Sequence, residues 1–197
     1  MIKALVLLAE GVEEMEAVIA VDVLRRCGLD VVMASTGVAR EVTAARGVRL
    51  VADALLGEVQ PDGFDVLVIP GGAGGSRRLA GDARVLELVR WFVREGLLVA
   101  AVCAGPAVLK AAGVLTGVRV TCHPAARDLL AGVELSPDRV VVDRNIITTN
   151  DSKLTPVTKA TFITSQGPGT SMEWALAIAK HLVGDEIADK VAEGLIL

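Results

Sequence analysis

The residue whose neighbours best equip it for chemistry is Cys103. It follows the apolar run Leu97-Leu98-Val99-Ala100-Ala101-Val102 and precedes Ala104-Gly105-Pro106. Such a short run suits a strand buried on both faces of a parallel sheet. Gly105 permits a tight turn, and Pro106 suits the first turn of a helix that continues through Ala107-Val108-Leu109-Lys110-Ala111-Ala112 to a stop at Gly113. A thiol at this strand-to-helix corner lies beside the unpaired N–H groups of a helix start, which favour its thiolate. If the sheet is parallel, the carboxyl groups Glu13 to Glu16 and the pair Gly71-Gly72 converge on the same end, with His123 a fourth candidate. A thiol, a carboxyl group to hold it, backbone donors from a glycine turn and an imidazole are the parts of a nucleophilic cysteine site.

Each part also has a plainer reading. A lone cysteine in apolar surroundings is commonly a small buried hydrophobe, which is the reading for Cys27 and Cys122 and stays open for Cys103. Glu13, Glu14 and Glu16 fall in the first turn of a helix, where carboxylates meet the dipole, and at least two of the three are expected to be merely solvated. Gly71-Gly72 also fits a simple turn, and without a following Gly-Lys-Ser/Thr it is not a P-loop. His123 precedes Pro124 as loop residues often do, and His181 reads as a surface residue near a helix C-terminus.

The elements that must position these groups follow from periodicity. Ile2–Leu8 reads as the first strand, followed by a helix from Met15 to Cys27 that Gly28 ends. Asp30–Ser35 and Phe64–Pro70 read as further strands, Val48–Ala52 as a half-exposed one, and Gly71–Gly75 as the connection after the Phe64 strand. Leu86, Leu88, Val89, Phe92 and Val93 mark an amphipathic helix that delivers the chain to the Cys103 strand. Val118–Thr121 reads as a strand, Met172–Val183 as a helix, and a short last helix starts at Glu186. Strands alternating with helices predict a mostly parallel sheet covered on both faces, with ligands beyond its carboxyl ends. Asn145–Asn150 and Thr161–Gln166 break the rhythm with a shared polar, apolar, Ile, Thr, Thr/Ser, amide pattern separated by a polar stretch.

Composition bounds the function. The 197 residues are 52% hydrophobic and 22% charged, which suits one α/β domain with a large core. Aromatic residues make up 3% and the formal charge is −4, so a nucleic-acid partner is not expected. No apolar run approaches a membrane span, and Met1-Ile2-Lys3 leads directly into a strand, which reads as a soluble cytoplasmic protein. Three widely spaced cysteines argue against a disulfide framework or structural zinc site.

Taken together, Glu13-Glu14-Met15-Glu16, Pro70-Gly71-Gly72, Val102-Cys103-Ala104-Gly105-Pro106, Thr121-Cys122-His123-Pro124 and Gly167-Pro168-Gly169-Thr170-Ser171 resemble the ThiJ/PfpI superfamily. The resemblance is to its branch of the Parkinson-disease-associated protein deglycase, in family order and over nearly the whole chain. It implies a flavodoxin-like three-layer α/β sandwich with a mostly parallel central sheet, a single domain over residues 1–197, usually paired as a homodimer. It implies Cys103 as nucleophile, Glu16 as the carboxyl group that hydrogen-bonds the sulfur, with a pKa raised by burial, and His123 as the nearby imidazole. Gly72 and Ala104 would supply backbone N–H groups to an oxyanion, with Gly71 beside them and Arg26 and Arg46 near the site across or beside the dimer interface. One departure is an atypical insertion around residues 149–164, in which the second copy of the repeated pattern is expected to occupy the family strand and the first to join an added hairpin or loop.

The implied activity is a cofactor-independent conversion of reactive carbonyls. It would be a glyoxalase III-like conversion of methylglyoxal to lactate, or deglycation of an amine or thiol. An oxidative-stress sensor or chaperone built on Cys103 oxidation is the alternative, and a PfpI-like peptidase the third. No metal or cofactor is expected.

Overall fold

A computed structural model describes residues 1–147 and 158–197. In chain order its elements begin with β1 (Lys3–Leu8), α1 (Glu14–Arg26), β2 (Asp30–Ser35), β3 (Glu41–Thr43), β4 (Arg49–Val51) and β5 (Ala54–Leu55). They continue with β6 (Val66–Ile69), α2 (Ala73–Gly81), α3 (Ala83–Arg94), β7 (Leu98–Val102), α4 (Pro106–Ala111), β8 (Arg119–Val120) and β9 (Glu134–Leu135). The last are β10 (Val140–Ile147), β11 (Thr158–Ser165), α5 (Ser171–Val183) and α6 (Asp185–Gly194).

Seven strands form one sheet in the order β10-β11-β7-β6-β1-β2-β5, parallel throughout except for β10, which runs antiparallel to β11. Because successive strand residues point to opposite faces, the apolar runs feed two cores. Leu5, Leu7, Leu67 and Ile69 pack beneath Val89 and Phe92 of α3 and Val108 of α4. Ala4, Val6, Val66 and Val68 face α1 and Trp174 and Ile178 of α5. Trp174 is fully buried and its indole Nε1–H donates to the Ile163 carbonyl at 3.0 Å, so its one polar atom is satisfied. The result is the mostly parallel sheet covered on both faces that the alternation of elements predicts, in the three-layer, flavodoxin-like arrangement that the family resemblance implies.

The connections after β1 and β6 leave in opposite directions across the sheet, which makes the carboxyl end between them a topological switch point. The loops after β1, β6 and β7 therefore meet there, carrying Glu13, Gly71-Gly72 and Cys103.

Three local assignments go beyond or differ from the sequence reading. Gly71–Gly75 is not only a connection: α2 begins at Ala73, and the Ser76 N–H donates to the Gly72 carbonyl at 2.8 Å. Its glycines serve close approach, since a Cβ at Gly75 would stand 2.8 Å from the Val12 Cα. β4 pairs with β3 in a separate two-stranded sheet, and β8 pairs with β9 in another rather than joining the main sheet. The pattern around the insertion resolves as expected on one side: β11 holds Thr161–Ser165 beside β7, from Thr161 opposite Leu98 to Ser165 opposite Val102. Of the first copy, Asn145–Ile147 ends β10, while Thr148–Asn150 and the polar stretch to Val157 lie outside the described residues.

Candidate active site

Cys103 follows β7 with φ 63°, in the left-handed region that a side chain rarely adopts. Two backbone hydrogen bonds hold it there: its N–H donates to the Ser165 carbonyl at 2.9 Å, and its carbonyl accepts from the His123 N–H at 3.0 Å. Flanking strands and loop thus over-determine an unfavourable conformation, and the half-buried sulfur is turned out of the sheet toward the loops after β1 and β6.

Glu16, in the first turn of α1, is fully buried. Its Oε2 accepts the Gly71 N–H at 2.6 Å, its Oε1 is left without a hydrogen-bond partner, and the carboxyl group interacts with the Cys103 thiol. Burial pushes the Glu16 carboxyl up to about 7, against the lowering effect of the Gly71 and Cys103 hydrogen bonds. Burial, and then the negative charge of Glu16, push the Cys103 thiol up to about 12, while the Gly72 and Ala104 N–H groups pull the other way. The helix start alone therefore does not deliver a thiolate, contrary to the simplest expectation from sequence. The two acids resist ionising together, so between about 7 and about 12 the pair holds one proton.

Gly71 and Gly72 are required for distinct reasons. A Cβ at Gly71 would lie 2.6 Å from the Cys103 Cβ and 2.9 Å from the Val102 carbonyl oxygen. Gly72 adopts φ 87° and a Cβ there would come within 2.4 Å of the Gly11 carbonyl oxygen. His123 is exposed at the start of a 3-10 segment, where its Nδ1 accepts the Ala125 N–H at 3.1 Å. That bond fixes the neutral ring with its proton on Nε2, leaving Nε2–H to face a ligand.

A cavity of about 890 Å3 lies over these groups, lined at this end by Glu13, Arg46, Gly72, Cys103, Ala104 and His123. Glu16 stands beneath it as the buried partner of the thiol. Arg46 is held by its backbone N–H, which donates to the Glu14 carboxylate at 2.9 Å. Arg26 is placed elsewhere in the chain, exposed on the last turn of α1 and ion-paired with Asp22 at 2.7 Å. Cys27 and Cys122 are buried, and burial raises both thiols.

The expectation that most of the early carboxylates are solvated is wrong. Glu13, Glu14 and Glu16 are all buried, whereas Met15 and Val18 are 53% and 49% exposed. The inward stripe of α1 runs Glu16, Ala20, Val23, Cys27 with Ala17, Val21 and Leu24 beside it, all at helical spacing. Residues that sequence reasoning did not single out are Ser76, Arg77 and Lys110, which line the remainder of the cavity.

An α/β sandwich that presents a strained cysteine at a strand-to-helix corner, with a buried carboxyl group against its sulfur, defines a recognisable class of cysteine proteins. The chain belongs to the DJ-1/PfpI family, whose sequence model matches residues 2–156. It is 41% identical to Protein dj-1beta of Drosophila melanogaster over 98% of this chain and 96% of the relative. It is 38% identical to the Caenorhabditis elegans glutathione-independent glyoxalase DJR-1.2, over 98% of this chain and 96% of the relative. The crystal structure of the Drosophila DJ-1beta superposes with a TM-score of 0.87 at 39% identity, covering 100% of this chain and 98% of the other. The oxidized Toxoplasma gondii DJ-1 superposes with a TM-score of 0.86 at 33% identity, covering 100% and 98%. No helix among the described residues is long and apolar enough to cross a membrane.

Proposed function

We propose that this chain is a cysteine-dependent enzyme that converts methylglyoxal and related 2-oxoaldehydes to 2-hydroxy acids, acting as a homodimer in the cytoplasm and without a cofactor. The observation that carries the reading is the Cys103–Glu16 contact, with the Gly72 and Ala104 N–H groups facing the same sulfur. The C. elegans relative named as a glutathione-independent glyoxalase supports it.

In the reactive form the shared proton sits on Glu16 and the negative charge on sulfur. Two backbone N–H groups face the sulfur and one faces the carboxyl group, which lowers the cost of reaching this less populated distribution from the one with the proton on sulfur. The sulfur lone pair forms a bond to the aldehyde carbon, and the carbonyl π pair moves to oxygen, which takes up a proton to give a hemithioacetal. Loss of the proton from the former aldehyde carbon and return of a proton to the neighbouring carbonyl carbon, with His123 or Glu16 as carrier, convert it to a thioester of the 2-hydroxy acid. Water then cleaves the C–S bond, releasing lactate and the free thiol. The sum is methylglyoxal plus water to lactic acid, with no oxidant. Deglycation follows the same route, starting from an adduct that releases its amine or thiol.

The test is lactate production from methylglyoxal by the purified protein, with Cys103→Ser beside it. Turnover abolished by the substitution is the expected result; normal turnover by that variant overturns the proposal.

A sensor reading of the same cysteine has support from the oxidized Toxoplasma DJ-1. Two equivalents of peroxide would oxidise the Cys103 thiolate to a sulfinate, each being reduced to water, and the Gly72 and Ala104 N–H groups would meet the new oxygens. Intact mass after mild peroxide treatment tests it, with two oxygens added at Cys103 expected and preferential oxidation of Cys27 or Cys122 refuting it.

A further inference from the structure

The cavity is far larger than methylglyoxal needs. At about 890 Å3 it falls in the range of sites that hold drug-sized ligands, whereas a three-carbon aldehyde occupies only its cysteine end. From Cys103 it continues along the groove between α2 and α4, past Ala80, Gly81, Ala107 and Ala111, and Arg77 and Lys110 stand along this remote half. Lys110 lies four residues beyond Pro106, about 6 Å farther along the helix axis.

The charges divide unevenly between the two ends. At the Cys103 end the lining carries both a carboxyl group, Glu13, and a guanidinium, Arg46, whereas the other charged side chains lining the cavity, Arg77 and Lys110 on α2 and α4, are both cationic. Arg77 makes no hydrogen bond or ion pair among the described residues. Lys110 Nζ donates once, to the Leu129 carbonyl at 3.0 Å, which leaves two protons for a ligand. A separate observation points to a polar occupant: Ser76 lines the cavity between the two ends, is 3% exposed, and its Oγ has no hydrogen-bond partner. A buried hydroxyl left without a partner is expensive, and a ligand atom in the groove would satisfy it.

We propose that the half of the cavity remote from Cys103 seats the acidic end of a carbonyl substrate longer than methylglyoxal, with Arg77 and Lys110 as the residues that select it. The substrate class is a 2-oxoaldehyde, or an adduct of one, that carries a carboxylate or phosphate a few bonds from its reacting carbon. Small side chains line the groove so that the body of such a molecule can lie flat, and the paired cations meet its anion within a low-dielectric cleft. The proposal rests on the carbonyl-converting function above.

The experiment compares 4,5-dioxopentanoate with 2-oxopentanal, two five-carbon 2-oxoaldehydes of which only the first ends in a carboxylate. The protein should prefer the acid by about tenfold in kcat/KM, through KM, as one charge-assisted contact provides. In the Arg77→Gln/Lys110→Gln double variant that ratio should fall toward one. A ratio unchanged by the double substitution, or no preference in the unaltered protein, overturns the seat. A second arm keeps the result independent of turnover: alkylation of Cys103 by 6-maleimidohexanoate is timed against N-ethylmaleimide, with the modified cysteine located by peptide mass. Faster reaction with the acid, lost in the double variant, upholds the seat even if neither aldehyde is turned over, in which case it is the carbonyl chemistry that fails. Equal charge dependence in both proteins refutes it. Repeating this arm with phosphate-tailed and carboxylate-tailed maleimides distinguishes the two anions.

Discussion

The Gly71 N–H donates to the Glu16 Oε2 at 2.6 Å, and a methyl group on Gly71 would stand 2.7 Å from that same oxygen and 2.6 Å from the Cys103 Cβ. One glycine thus lets the carboxyl group and the thiol meet and also tethers the carboxyl group. Gly71→Ala should cost about 1–3 kcal/mol of stability and most of the activity, because the Cys103 Cβ, the Glu16 carboxyl oxygen and the Val102 carbonyl oxygen leave the new Cβ nowhere to go. Gly113→Ala provides the comparison: φ there is 76° with open space around it, so only conformational strain of about 1 kcal/mol is added. Denaturant melts of both variants, together with alkylation rates of Cys103, check the distinction.

Glu16 makes stability depend on pH with a definite sign. Its carboxyl group is pushed up from 4.5 to about 7 in the folded protein, so folding is linked to proton uptake. The associated stability is fully present below about 4.5 and is lost as pH rises through about 7. Glu16→Gln removes this dependence while its carbonyl can still accept from Gly71. The variant should therefore gain on the unaltered protein by up to roughly 3 kcal/mol between pH 4.5 and pH 8. Equilibrium unfolding at several pH values reads this directly, and a constant difference would contradict the burial argument.

The thiol should respond to the same substitution. Above pH 7 the Glu16 charge helps hold the Cys103 thiol up near 12, and Glu16→Gln removes that charge while keeping an N–H to face the sulfur. The pH midpoint of Cys103 alkylation should shift downward in the variant, whereas Glu16→Asp should leave the carboxyl group short of the sulfur and slow turnover.

Strain at Cys103 can be isolated by two inert replacements. Both Cys103→Ala and Cys103→Gly remove the sulfur, but only glycine is at ease at φ 63°. The glycine variant should be about 1 kcal/mol more stable than the alanine variant, although both are inactive. The difference in urea midpoints measures what the fold spends to turn the thiol outward.

His123 has two separable duties. Its Nδ1 caps the 3-10 segment by accepting the Ala125 N–H, and the ring lines the cavity with Nε2 not used by that cap. Asparagine at position 123 can retain the cap and lose the proton carrier, whereas alanine loses both. His123→Asn should keep stability within a few tenths of a kcal/mol and slow the proton-transfer step, and His123→Ala should cost about 1 kcal/mol besides.

Much of this was legible in the chain itself. The apolar runs before Gly71 and Cys103, and the helical patterns between them, determined a parallel sheet with both loops at one end, because buried strands and amphipathic helices each carry their own period. The resemblance carried by the motif set around Cys103 points to Glu16 and to the donors Gly72 and Ala104. The second copy of the repeated pattern, which runs directly into Gly167, lies in β11 beside β7.

Tertiary structure decided which face of α1 is inside. Met15 and Val18 look like core by hydropathy, yet they stand out while Glu13, Glu14 and Glu16 are buried, with the Arg46 N–H donating to Glu14 and the Gly71 N–H to Glu16 in place of water. It also decided the proton balance of Cys103 and Glu16, which depends on burial and a contact across 87 positions of sequence. The groove from Cys103 to Lys110 was likewise invisible in one dimension. A cavity is the space that packed elements fail to fill, and α2 and α4 leave it open because alanine and glycine are too small to close it.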